Sequence, residues 1–112
     1  MVISKNNALV RHWGKASLAY QLCSVKNLSV KHEVMAPFDS EVMHYHVHTV
    51  QCFFILKGSA QIMLDDITYT LNANDSITVM TNVKHCIKNC SDSQIEFLVI
   101  SQPEISTDRI EL

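Results

Sequence analysis

Apolar and polar residues alternate with a period of about two through most of this chain, in runs of strand length separated by turn residues. The pattern predicts strands over Ala16–Val25 and Leu28–Met35, with Lys26-Asn27 as a hairpin turn. In the second of these, Leu28, Val30, His32 and Val34 alternate with Ser29, Lys31 and Glu33. Pro37-Phe38-Asp39-Ser40 interrupts the pattern, and a histidine-bearing strand begins near Val42. Gln51–Lys57 is a continuous apolar run ended by Gly58, and Ala60–Leu64 returns. Further strands are expected over Ile67–Leu71, Ser76–Met80, His85–Asn89 and Gln94–Ile100. Their turns are Asp65-Asp66, Asn72–Asp75, Thr81–Lys84 and Ser91–Ser93. Residues 1–14 read as an arm or edge strand, with Arg11–Gly14 as a turn, and residues 101–112 as a polar tail. No segment sustains a helical period, so an all-β sandwich or barrel follows.

Composition narrows the picture. A chain of 112 residues with 47% apolar and 18% charged residues suits one ordered domain over 1–112. A net charge of −2 and the lack of a dense basic run argue against a nucleic-acid partner. No apolar stretch reaches membrane-spanning length, and no signal-peptide pattern opens the chain. Cys23, Cys52, Cys86 and Cys90 show no C-x-x-C spacing, which favours reduced thiols and a cytoplasmic location. Cys52 and Cys86 fall in apolar segments and are expected in the core.

The chemistry concentrates in His44-Tyr45-His46-Val47-His48-Thr49-Val50-Gln51. His44 and His46, two residues apart in an extended run, face the same side of a strand. Neutral imidazoles on one face each offer a ring-nitrogen lone pair and can share a metal ion. His48 has the same parity, so His46 and His48 form a second His-x-His pair. Tyr45 alternates to the other face, and His12 and His32 show no partner pattern.

These residues resemble the two motifs of the cupin family. The first reads Gly, five residues, His-x-His, three or four residues, Glu, six residues, Gly. Here Phe38 stands at the first Gly, His44 and His46 match, Gln51 replaces the Glu, and Gly58 closes the motif. The second reads Gly, five residues, Pro-x-Gly, two residues, His, three residues, Asn. Here Asn74, Met80 and Asn82 replace Gly, Pro and Gly, while His85 and Asn89 match. Asn74, Asn82 and Asp66 tolerate left-handed turns; Phe38 does not, so the loop before the histidine strand is expected to differ locally. The spacing assigns His44 and His46, and leaves His48 in the following loop.

The resemblance implies a cupin-type double-stranded β-helix, a jelly-roll barrel with an apolar lining. It implies a metal set of His44, His46, Gln51 and His85, with Gln51 in direct or near-direct contact. The cofactor is then a divalent transition metal (Fe, Ni, Mn, Zn or Cu), which imidazoles do not discriminate. Affinity is expected to fall as pH drops through about 6 to 7. A neutral Gln in place of Glu favours a small anionic ligand that supplies charge. Two classes stay open: a metal-dependent dioxygenase, isomerase or lyase, and a non-catalytic module that binds or senses a sugar-like molecule. A homodimer through strands and terminal arms is implied by the resemblance alone.

Overall fold

The computed structural model describes residues 1–103 and 107–112. Its elements are β1 (Leu9–Trp13), β2 (Ser17–Val25), β3 (Leu28–Met35), β4 (His44–His46), β5 (Val50–Lys57) and β6 (Ala60–Leu64). β7 (Ile67–Leu71), β8 (Ser76–Val79), β9 (His85–Lys88), β10 (Ile95–Gln102) and β11 (Arg109–Glu111) follow. They form two antiparallel sheets that face one another, ordered β1-β2-β3-β10-β5-β8 and β11-β4-β9-β6-β7. This is the jelly-roll arrangement, and no helix occurs among the described residues.

The register explains how one barrel holds both a core and a cavity. Across β3, β10 and β5 the inward rows align as Met35 with Ile95, then Glu33, Phe97 and Ile55. Next come Lys31, Val99 and Phe53, and finally Ser29, Ser101 and Gln51. The rows thus run from apolar to polar along the barrel. The apolar end joins Ile62, Leu71, Val79 and Ile87 in one buried cluster, and the polar end stays open. Asn89 closes the packed end by donating to the carbonyls of Met35, Ala36 and Ser93 and accepting from Ser91.

Several expectations need correction. Arg11 to Trp13 belong to β1, paired with β2, and the turn starts only at Gly14. The tail is not merely polar coil: β10 runs on to Gln102, and β11 pairs with the histidine strand. Residues 104–106 of that tail lie outside the described residues. In β3 the polar residues face inward and Val30, His32 and Val34 outward, where His32 Nε2 meets Glu96 Oε1 at 2.7 Å. Cys52, expected in the core, is only half-buried, whereas Cys86 is buried.

The turn residues carry their predicted chemistry with one shift. Asn27, Asn74 and Asn82 have φ of 68°, 74° and 65°, and in the Asp65-Asp66 turn it is Asp65, at 51°, that turns left-handed. Phe38 takes φ 57° as well. The backbone therefore keeps a glycine-like bend despite the side chain, which points to solvent at 62% exposure. Its N–H donates to Ser91 O and Asp39 N–H to Ala36 O, and these bonds offset the local strain.

Candidate metal centre

β4 delivers His44 and His46 to the interior, and β9 delivers His85 directly opposite His44 in the ladder. The ring centroids lie 4.2 Å apart for His44–His85, 5.1 Å for His44–His46 and 5.6 Å for His46–His85. One donor atom from each ring lies within 4.8 Å of the other two, so the three could hold a metal ion.

Hydrogen bonds set the tautomers. His44 Nδ1 lies 2.8 Å from Val42 O, and His85 Nδ1 lies 2.8 Å from Val83 O. A carbonyl can only accept, so each Nδ1 carries the proton and each Nε2 presents a lone pair. Burial holds all three imidazoles below the ordinary histidine range, His44 to about 3. They are neutral at neutral pH, the form in which an imidazole offers a lone pair to a metal.

Gln51, on β5, places Oε1 3.2 Å from His85 Nε2, while its Nε2 donates to Ser101 Oγ at 3.1 Å. With His85 protonated at Nδ1, two lone-pair acceptors face one another. His46 Nε2 is buried with no hydrogen bond of good geometry among the described residues, the Gln51 side chain being the polar group that acts on its ring. Converging lone pairs and an orphaned buried nitrogen are the donor set that a cation satisfies, so the residues fit a divalent metal.

The loop after His46 is tied down by the far end of the chain. Asp108 accepts from the N–H groups of Val47, His48 and Thr49 at 3.1, 2.9 and 2.9 Å. Burial alone would raise the Asp108 pKa, but these bonds outweigh it and hold the carboxyl below its usual range. His48 itself is exposed in this loop, away from the cluster.

The surrounding cavity, about 730 Å³, departs from the expected apolar lining. Phe53 and Val99 border it, but so do Lys31, Glu33, Glu41 and Arg109. Glu33 and Glu41 are each raised to about 7, chiefly by burial; Glu41's charge adds to the effect on Glu33. Glu41 Oε2 stands 3.9 Å from His44 Nε2 and 3.5 Å from Arg109 Nη1. Trp13 Nε1, also at the cavity, is buried without a partner among the described residues. The pattern reading missed Glu33, Glu41 and Arg109. The only local signal was Glu33's place opposite the apolar set of its strand.

A family model for the cupin domain matches residues 31–101. Among curated proteins, mannose-1-phosphate guanylyltransferase of Salmonella muenchen is 26% identical over 96 residues, covering 86% of this chain and 20% of that protein. The chain spans about a fifth of the length of the curated relatives it matches. A predicted oxalate decarboxylase from Thermotoga maritima superposes with TM-score 0.84 at 17% identity, covering 93% of this chain and 100% of that one. The polyketide cyclase RemF from Streptomyces resistomycificus gives TM-score 0.84 at 16% identity, covering 100% and 84%. At such identities the likeness is one of fold. The matched span contains both strands that carry the three clustered histidines, and the chain belongs to the cupin family.

Proposed function

We propose that this chain is a metal-binding cupin whose ion is held by His44, His46 and His85 with Gln51, and that it binds or transforms a small anionic molecule. The observation that carries the reading is the convergence of three neutral imidazoles, one with an unpartnered buried nitrogen, at a polar cavity that His44 and His46 line. The cavity volume suits a small ligand, and Arg11, Lys31 and Arg109 border it with positive charge. When bound, the ion supplies Lewis-acid polarisation or, for a redox-active metal, dioxygen activation. Arg109 and Lys31 orient the ligand's negative end, and Glu33 is placed to exchange a proton with it. Dioxygenase, isomerase and lyase chemistry all remain within this reading.

The alternative is a non-catalytic module for a sugar-like ligand. The uncharged polar side chains around the cavity, among them Gln21, Ser29, Thr49 and Ser101, favour it, as does the likeness to part of a protein named for mannose 1-phosphate. The test begins with elemental analysis of untagged protein, followed by thermal-shift screening against small carboxylates, sugar acids and sugar phosphates. Metal-dependent turnover supports the enzyme. Tight binding that survives chelation, without turnover, supports the module. Absence of any bound or bindable transition metal would overturn the main reading.

The same proposal takes residues 1–112 as one domain, active as a homodimer in the cytoplasm. Half-buried Val30, Val34, Leu98 and Ile100 on the outer side of the larger sheet support the dimer, and light scattering tests it. Four free thiols support a reducing compartment. No helix among the described residues is long and apolar enough to cross a membrane.

A further inference from the structure

Three imidazoles and an amide leave a divalent cation with no compensating charge from its ligands. A carboxylate does stand beside them, on the segment before β4 and not at position 51. Glu41 Oε2 lies 3.9 Å from His44 Nε2, the ring nitrogen left free by the Nδ1 bond to Val42 O. A neutral imidazole lone pair and a carboxylate oxygen gain nothing from facing one another; a cation shared between them would give the ring nitrogen a partner and the carboxylate a second one beside Arg109. Two donors about 2.1 Å from one ion are ~3.0 Å apart at a right angle and ~4.2 Å apart when opposed. The observed separation falls inside that range.

The segment around Glu41 is held in place. Its N–H donates to Ile87 O at 3.0 Å, and its Oε1 accepts from Ile87 N at 3.3 Å. Ser40 bridges Lys88 beside it. Only Oε2 is contested, between Arg109 Nη1 at 3.5 Å and His44. Glu41 is not among the side chains whose donor atoms all lie within 4.8 Å of one another, which are His44, His46 and His85, so its carboxylate has to move toward an ion that they hold.

We propose that Glu41 is the carboxylate of the metal centre, supplying the charge that Gln51 does not, with Arg109 as its competing partner. This rests on the histidine cluster holding a metal, and it deepens that reading by assigning the anionic ligand. The bland alternative is that Glu41 serves only as the ion-pair partner of Arg109.

The two separate in calorimetric titrations of untagged full chain with Zn(II), together with Co(II) absorption spectra. Glu41→Gln, which keeps the acceptor for Ile87 N–H, should weaken Zn(II) binding on the order of ten- to hundred-fold without changing stoichiometry. Its Co(II) visible bands should also shift. Adding Gln51→Glu to that variant should recover most of the affinity, because a carboxylate returns to the ion. Arg109→Met should strengthen binding by removing the competitor, and this arm keeps the proposal testable if Glu41→Gln folds poorly. Unchanged affinity and superimposable Co(II) spectra in Glu41→Gln, with wild type binding normally, would overturn the proposal alone. So would an Arg109→Met variant that binds no more tightly than wild type. Wild type that takes up neither metal would overturn the metal centre itself, and the proposal with it.

Discussion

Glu33 shows how one side chain can oppose the fold that contains it. Its carboxyl faces inward from β3 between Phe97 on one neighbour and Ala19 on the other. Burial, and then the charge of Glu41, raises its pKa from 4.5 to about 7. The folded state therefore holds this proton more tightly than the unfolded chain does. The sign follows from linkage: Glu33's contribution is most favourable below about pH 4.5 and is lost as pH rises to about 7. Glu33→Gln should match wild type near pH 4.5 and be more stable by about 1–2 kcal/mol at pH 8, after allowance for partial exposure. Urea denaturation of chelator-treated protein at the two pH values checks this. A carboxyl kept at such a cost in a cavity is better explained by a ligand's needs than by packing.

At the scale of elements, two connections decide whether the histidines meet. Gly58 turns β5 into β6 at φ +85°, and a Cβ there would lie 2.6 Å from Ile95 Cγ2. Gly58→Ala combines left-handed strain with that overlap and should cost about 2–3 kcal/mol, read as a lower denaturation midpoint. The second connection is β11 on β4. Asp108 precedes β11 and takes three backbone N–H bonds from the loop leaving His46. Asp108→Ala should cost about 2–4 kcal/mol and weaken metal binding, because the loop beside His46 loses its anchor. The Asp108 pKa is depressed in the fold, so its contribution is present above about pH 3.8 and is lost as pH falls through the folded value. The stability gap between variant and wild type should hold from pH 8 to 5 and close on further acidification.

For the whole molecule, the proposed ion links the two sheets across the barrel: β4 and β9 lie in the smaller sheet, while Gln51 belongs to β5 of the larger. A ligand that binds only the folded state at 100 times its Kd adds about 2.7 kcal/mol. For a chain of this length that is a Tm rise of roughly 8–12 °C. Differential scanning fluorimetry with Zn(II), reversed by a chelator, checks the shift, and His44→Ala or His85→Ala should abolish it. The barrel carries its weakness and its function at the same end. The packed rows around Phe97 and Ile62 hold the molecule together, and the polar rows above them leave the room a ligand needs.

Local information was enough wherever one residue's conformation or parity answered the question. Alternation placed most strands, Lys26-Asn27 marked a hairpin turn, Asn74 and Asn82 marked left-handed turns, and a spacing of two set His44 and His46 on one face. The motif spacing added His85, which the ladder brings opposite His44. What alternation could not decide was which face of a weakly patterned strand looks inward. β3 carries both an apolar and a polar row, and only closure of the sheet against β10 turned Lys31 and Glu33 toward the cavity. Nor could it foresee that Asp108 and Arg109, in an apparent tail, would return to the histidine strand. Pairing between residues some sixty positions apart depends on how two sheets close around a shared core, and no nearby sequence encodes that.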